Sequence, residues 1–494
     1  MTPKTKTQNF MVSLPRRLSG RVEPSKLSLR LHCVALSVTK IKLQNLSIFK
    51  SFKLLIFIFF ILQFAFFTFR CEKPTPPPDK PPYIPPIVLT SEDVSCTDAF
   101  ISIKTTKVFE SGTLQLKRDG ITQSEIYNLQ SQIDTLIVDE GLLPKRTYTY
   151  KAYRLTNNTI IDSSAELPIT TMDTTSHNFS WDITYLGDGN SSVLRDVFIL
   201  NDTLAYAVGE IYKKDSLGQW ETEMYNMAKW NGKEWKLTKA YFEYQGQPYV
   251  TQLYAVYAFN ENDIWVASTH PANWKGTKWI QYSLGSSFPG YPTKFWGTSS
   301  SNLYMVGTNG SIAYFNGVAW RRLELPPLAG QGGTDVSIND IWGAVDERTG
   351  KRLILCAASN VYEPGERKIL RITEQNTVDT IPWVYYRRIH SIWFKNESRI
   401  FTSGSGVWMR RPDREWFEFK HLPPYFTDRV RGTSINDIFV VGNFGLFLHF
   451  NGFNWKFFSN VNAADIYYSV DYKKNTMVAV GRGGSKSIIL RMWR

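Results

Sequence analysis

The chain has 494 residues, of which 43% are hydrophobic and 20% charged, so it can bury a sizeable core but exceeds the length of one ordinary domain. Its net charge of +13 does not indicate a nucleic-acid partner, because residues 1–70 hold twelve Lys/Arg and one acid and leave only +2 for the rest of the chain. Aromatic residues reach 15%, which favours β-sheet structure.

The four cysteines, Cys33, Cys71, Cys96 and Cys356, are too far apart for a CxxC zinc or redox motif. We therefore expect neither a metal nor another cofactor. Cys96 and Cys356 are interpreted as small buried side chains, because a disulfide would require a demanding geometry across two domains.

The N-terminal part is predicted to direct the chain to a membrane. Residues 1–53 form a basic leader that we expect to be disordered, and residues 54–70 contain an apolar run short for a spanning helix but typical of an export signal. Residues 71–86 are rich in proline and predict a stiff, extended tether.

An apolar run followed at once by Cys71 resembles a bacterial lipoprotein signal, and this resemblance implies that Cys71 carries a lipid anchor. The alternative is an uncleaved N-terminal membrane helix, since Arg70 stands where that family has a small residue. In either case we expect an exported protein that is tethered to the bacterial cell envelope through residues 54–71.

Residues 87–173 predict a small β-sandwich. Short segments with period-two alternation, such as Phe100–Lys104 and Thr147–Arg154, are typical of strands with one buried face. The stretch Gly141–Ala152 resembles the fibronectin type III family, in which Leu142, Pro144 and Tyr148 would form a turn and a tyrosine corner. The resemblance implies a spacer or adhesion module.

Residues 179–494 predict a seven-bladed β-propeller, so the whole chain is expected to be all-β. Seven segments share a β-rich phrase, an Asn-Asp-Ile-Trp-like turn, small residues ending in Gly, and often an Asn-Gly-x-x-Trp hairpin. The clearest copies are 253–279, 295–320 and 429–455, and looser copies are 193–235, 336–372, 389–416 and 465–493.

The last copy ends after its third strand, whereas Phe179–Leu186 precedes the first copy as an isolated outer strand. The sequence therefore predicts that strand 179–186 completes the last blade and closes the ring, which would remove an exposed sheet edge.

No catalytic motif stands out, and we assign no catalytic or metal-binding residue. The recurring acids Asp263, Asp340 and Asp437 are interpreted as turn formers. Aromatic-rich loops predict a binding surface at the propeller rim, with Tyr244, Tyr249, Trp383 and Tyr385 as its candidate ligand-binding residues.

The complete layout resembles a group of uncharacterised envelope lipoproteins from Bacteroidetes/Chlorobi-type bacteria, some of which carry a glucosyltransferase label. The leading hypothesis is a tethered, non-catalytic binding or adhesion protein for glycan or protein partners. An envelope enzyme acting on glycans and a scaffold subunit of an envelope complex are the alternatives. The oligomeric state does not follow from the sequence.

Overall fold

The computed structural model describes residues 85–109, 111–126, 131–284, 288–323, 336–346, 350–360, 366–381, 383–411 and 414–494. The predicted leader, the anchor with Cys71 and nearly all of the tether lie outside these residues. The described residues form 38 β-strands and no helix, so the chain is all-β as predicted. Accordingly, none of these residues belongs to a helix that could cross a membrane.

The first eight strands form a β-sandwich of two sheets. One sheet has the order β1-β2-β5, and the other has the order β4-β3-β6-β7 with β8 also paired to β6. The strands are β1 (Ile87–Val94), β2 (Asp98–Thr105), β3 (Thr113–Arg118), β4 (Ile121–Ile126), β5 (Asp134–Glu140), β6 (Thr147–Thr156), β7 (Thr159–Ser163) and β8 (Leu167–Thr170).

A tyrosine corner is present where the sequence predicts it. The backbone N–H of Leu143 donates to the hydroxyl of Tyr148 at 2.9 Å, and the Tyr148 side chain is buried in the sandwich core. Leu142 is buried in the same core.

Seven four-stranded antiparallel sheets, called blades 1 to 7, make up the rest of the chain. The first three are blade 1 with β10 (Gly189–Asn201), β11 (Leu204–Tyr212), β12 (Tyr225–Trp230) and β13 (Trp235–Thr238), blade 2 with β16 (Ala255–Asn260), β17 (Asp263–Ala267), β18 (Pro271–Trp274) and β19 (Trp279–Gln281), and blade 3 with β20 (Pro292–Ser299), β21 (Asn302–Gly307), β22 (Ser311–Phe315) and β23 (Trp320–Arg322). A hairpin of β14 (Phe242–Tyr244) and β15 (Gln247–Tyr249) connects blades 1 and 2.

The remaining blades follow the same meander. They are blade 4 with β24 (Ile338–Val345), β25 (Arg352–Ser359), β26 (Arg367–Ile372) and β27 (Val378–Ile381), blade 5 with β28 (Ile389–Phe394), β29 (Ile400–Gly404), β30 (Gly406–Arg411) and β31 (Arg414–Glu418), blade 6 with β32 (Thr427–Ser434), β33 (Asp437–Gly442), β34 (Phe447–Phe450) and β35 (Trp455–Phe457), and blade 7 with β36 (Asp465–Lys473), β37 (Thr476–Gly483), β38 (Lys486–Trp493) and β9 (Ser180–Leu186).

Blade 7 takes its outer strand from the start of the repeat region. β9 pairs antiparallel with β38, with Ile183 opposite Leu490 and Trp181 opposite Met492. The first strands of neighbouring blades pack side by side, and β36 packs against β10. This is the ring closure that the sequence predicts, and β9 covers the edge of β38 that would otherwise be exposed.

Each blade buries apolar side chains against its neighbours, as Trp265 and Trp393 do within two such clusters. Glycines recur where the second strand of a blade crosses the first. A Cβ on Gly481 would lie 1.8 Å from the carbonyl oxygen of Ile466, and one on Gly209 would lie 2.0 Å from that of Val193. The repeated glycine is therefore required by the close approach of two backbones.

The meander gives the propeller two distinct faces. In blades 1 to 6, the turns from first to second strand and from third to fourth strand lie on one face, called the turn face. The connections from second to third strand and from blade to blade lie on the opposite face, called the crossover face.

Candidate functional site

The sandwich docks on the turn face through a buried cluster of charged side chains. Arg399, directly before β29, forms an ion pair with Asp98, and its Nε donates to Asp93 Oδ2 at 3.0 Å. Arg411 donates to Asp98 Oδ2 at 3.2 Å and to Glu140 Oε1 at 2.6 Å. We call these five residues the interdomain clamp.

Burial makes this clamp selective for one orientation. The Arg399 and Arg411 side chains are only 3% and 4% exposed, and both guanidinium groups stack near the ring of Phe100. Each buried cation needs its carboxylate partners, since an uncompensated buried charge costs several kcal/mol. Other orientations of the sandwich would leave these charges unpaired.

The linker between the domains is also fixed on blade 6. Thr175 Oγ1 donates to the carbonyl oxygen of Asn436 at 2.6 Å, and Asn436 Nδ2 donates to the carbonyl oxygen of Asp173 at 2.8 Å. His177 Nδ1 lies 2.7 Å from His449 Nδ1, which places the linker against β34. Clamp and linker together hold the sandwich rigidly on blades 5 and 6.

A cleft of about 1320 Å³ lies between the docked sandwich and blades 4, 5 and 6. Val94, Phe100, Leu136 and Met172 line it from the sandwich side. Because both domains contribute walls, the cleft exists only in the docked arrangement.

The propeller side of the cleft combines an apolar floor with charged edges. The floor contains Trp342, Val345, Phe394 and Ile435. Charged side chains of both signs also line the cleft. On the propeller side they are the acids Asp346 and Glu397 and the bases Lys351, Arg371 and Lys395, and Glu92 is an acid on the sandwich side. Leu136 and Val345 remain 38% and 47% exposed, so each wall presents an uncovered apolar side chain.

The inner strands carry a second buried network of charged groups, centred on Asp340. Arg429 Nη1 and Arg431 Nη2 contact Asp340 Oδ1 at 2.7 and 2.8 Å, and Ser391 Oγ donates to Asp340 Oδ2. Burial would raise the pKa of Asp340, but the two guanidinium groups outweigh it and hold that pKa well below its usual value.

This placement corrects the interpretation of Asp340 as a turn former. Asp340 lies within β24 and is fully buried, whereas Asp263 and Asp437 begin β17 and β33 directly after their turns. Arg429 and Arg431 flank Val430 in a strand of the repeat, and this spacing is a signal for a buried acidic partner, but it does not identify which acid.

The four predicted rim aromatics do not share one surface. Tyr244 is 67% exposed on the β14–β15 hairpin, and the hydroxyl of Tyr249 accepts from Gln281 Nε2 at 2.8 Å. Trp383 is only 8% exposed and packs with Tyr385 between blades 4 and 5. In that segment Tyr386 is 79% exposed, whereas Tyr385 is half-buried.

No group of three or more His, Cys, Asp or Glu side chains among the described residues is arranged to hold a metal ion. Cys96 and Cys356 are buried free thiols, which agrees with their interpretation as small packed side chains.

No family model matches the chain, and no curated protein matches it. Among solved structures, the chain is similar to "YCF48 bound to D1 peptide", with 15% identity over 65% of this chain and 99% of that one, at a TM-score of 0.48. It is also similar to YCF48 from Cyanidioschyzon merolae, with 14% identity over 63% and 98% of the two chains, at a TM-score of 0.47. The WD40 β-propeller domain of Doa1 shows 12% identity over 64% and 97%, at a TM-score of 0.41. The strand pairings above establish the propeller independently of these similarities.

Proposed function

We propose that this protein is a non-catalytic binding protein, and that an extended polypeptide segment of a partner occupies the cleft between the sandwich and the propeller. The observation that carries the proposal is the cleft itself, a cavity of about 1320 Å³ whose two walls are held in one orientation by a buried charged clamp.

The lining of the cleft favours a polypeptide over a glycan. Protein partners bind best where an apolar centre is surrounded by charged groups that set orientation and exclude wrong partners. Leu136 and Val345 offer such a centre, and the same cleft is lined by both acids and bases. A sugar ring stacks on an open aromatic face. Trp393 in this lining is only 2% exposed, and the ring of the half-buried Trp342 is already contacted by the Arg431 guanidinium at 4.8 Å.

The test uses the full-length protein in detergent and compares a displayed library of short random peptides with a glycan array. Leu136→Arg and Val345→Arg place a bulky charge on opposite walls of the cleft, and neither replaces a buried side chain. Ile121→Arg and Val318→Arg are the matched controls, because these apolar side chains are 69% and 83% exposed and lie outside the cleft lining.

We expect peptides selected on the wild type to lose at least about tenfold in affinity with either cleft variant, which corresponds to about 1.4 kcal/mol. Both control variants should retain them. Equal binding by cleft and control variants would refute the location of the site. Saturable glycan binding that only the cleft variants lose would refute the polypeptide class.

We further propose that the chain is exported and tethered through residues 54–71, with Cys71 as the lipid-bearing residue. The supporting features are the basic leader, the apolar run and the proline-rich stretch that follows. Metabolic labelling with an alkyne fatty acid in a bacterial host should label the wild type but not Cys71→Ser. An unlabelled wild type that still fractionates with membranes would instead indicate an uncleaved membrane helix.

A further inference from the structure

A second cluster of polar groups lies at the crossover-face end of the inner strands, away from the sandwich. Its members are Arg388, just before β28, His390 on β28, Asp428 and Arg429 on β32, and Tyr468 on β36. We call these five residues the distal cluster. None of them lines the cleft.

Three buried polar atoms of the distal cluster have no hydrogen-bond partner among the described residues. They are Asp428 Oδ2, His390 Nδ1 and Arg429 Nε. The Asp428 side chain is 9% exposed, and His390 Nε2 lies 3.9 Å from Asp428 Oδ1, beyond hydrogen-bond distance. Buried polar groups are nearly always paired, so this concentration points to an absent hydrogen-bonding group.

The charges around Asp428 decide which ligand fits. Burial raises the pKa of Asp428 to about 7, although Arg429 and Arg388 both act to lower it. Burial and the same two arginines lower the pKa of His390 to about 3, so its ring is neutral at physiological pH. The fixed charges nearest this carboxyl are therefore cationic, and they disfavour a metal ion.

Tyr468 on blade 7 lies near Asp428. Burial is the main cause that raises the pKa of the Tyr468 hydroxyl, and the charge of Asp428 raises it further. Arg482 and Arg195 act on Tyr468 in the opposite direction and add positive charge on that side. Arg195 is itself paired with Glu210 at 2.7 Å. Asp340, the remaining nearby acid, is engaged by Arg429 and Arg431.

We propose that the distal cluster binds an oxyanion, a carboxylate or a phosphate-like group, between Asp428, His390 and Arg388. The neutral carboxyl of Asp428 donates its proton to one anion oxygen, the neutral imidazole donates an N–H, and Arg388 supplies the compensating charge. Binding thus requires Asp428 to hold its proton, since two anionic groups at this distance would repel each other.

This requirement predicts a specific pH dependence. With a pKa of about 7, the protonated fraction of Asp428 falls from about nine-tenths at pH 6 to about one-tenth at pH 8. Anion affinity should therefore fall about tenfold between these two pH values. A cation would show the opposite trend, because it would bind the ionised carboxylate.

Isothermal titration calorimetry on the full-length protein in detergent tests the proposal. Sulfate serves as a tetrahedral oxyanion and acetate as a carboxylate, because neither changes its charge between pH 6 and pH 8, and ionic strength is held constant with chloride. Tighter binding of one of the two identifies the ligand as phosphate-like or as a carboxylate.

Two variants separate this site from weak binding elsewhere. Asp428→Asn keeps a neutral donor, so it should bind at pH 8 about as well as at pH 6. Arg388→Gln should lose at least about tenfold at both pH values. Absence of saturable binding for both anions would overturn the proposal. A pH dependence that persists in Asp428→Asn, or calcium binding that strengthens towards pH 8, would overturn it as well.

Discussion

The interdomain clamp predicts a large effect for the single substitution Asp98→Ala. The Asp98 carboxylate pairs with Arg399 and with Arg411, whose Nη1 lies 3.2 Å from Oδ2. After its removal, Arg399 keeps Asp93 and Arg411 keeps Glu140, so neither cation is fully isolated. Breaking a buried pair costs about 3–5 kcal/mol, and the remaining partners place the expected loss near 3 kcal/mol.

This loss of stability can be measured by urea denaturation that is monitored with two spectroscopic signals. All 16 tryptophans lie at or after Trp181, so tryptophan emission reports the propeller alone, whereas far-ultraviolet circular dichroism reports both domains. In the wild type the two transitions should coincide. In Asp98→Ala the dichroism transition should split into two steps. A loss of about 3 kcal/mol should lower the midpoint of the first step by about 1 M urea, because the free energy of unfolding changes by about 3 kcal/mol per M urea.

Asp134→Ala is the matched control on the same sheet of the sandwich. Asp134 pairs with Lys104 at 3.1 Å, but the two side chains are 70% and 55% exposed. Such a surface pair contributes at most about 1 kcal/mol. If Asp98→Ala shifted the transition no more than Asp134→Ala does, the docking energy would come from apolar contacts and the argument from buried charge would be wrong.

Three further predictions follow from buried groups. Gly481→Ala should destabilise the propeller by about 3 kcal/mol in urea denaturation, because the new Cβ would lie 1.8 Å from the Ile466 carbonyl oxygen. Burial raises the pKa of Cys96 to about 11 and also raises that of Cys356, so both thiols stay protonated at pH 8. Mass spectrometry should therefore show that iodoacetamide at pH 8 labels neither thiol before the protein unfolds. Burial raises the pKa of Asp428 to about 7, so between about pH 4 and pH 7 the folded state keeps a proton that the unfolded state has lost. The free energy of unfolding therefore falls as pH rises through this range. Asp428→Asn should therefore raise the melting temperature at pH 8, and this gain should shrink towards pH 4.5.

The sequence predicted the architecture because its signals are local. Turn residues, period-two alternation and recurrent glycines act over a few positions, so seven similar sheets could be recognised without any long-range information. The closing strand was also predictable, since the last repeat ends without an outer strand and Phe179–Leu186 precedes the first repeat without a partner.

The sites could not be predicted in the same way, because their contacts join distant positions. The tripeptide Ile-Asn-Asp occurs at 338–340 and at 435–437. The first copy lies in an inner strand and the second ends a turn. Their long-range partners distinguish them, since Asp340 pairs with Arg429 and with Arg431, 91 positions away, whereas Asp437 pairs with His449 and Arg494. Likewise, Asp98 and Arg399 are separated by 301 positions, and no local pattern marks them as partners.

The clamp and the cleft are thermodynamically linked, because the cleft has two walls only when the sandwich is docked. A ligand that contacts both walls stabilises docking by mass action, by about 2.7 kcal/mol at a hundredfold excess over its dissociation constant. Conversely, the apparent affinity of the ligand for the cleft falls when the sandwich is docked in a smaller fraction of the molecules. Asp98→Ala should therefore weaken peptide binding in the cleft although Asp98 does not line it. The distal cluster involves the propeller alone, so its anion affinity should be unchanged in that variant, and a parallel loss at both sites would show that the propeller itself had been disturbed.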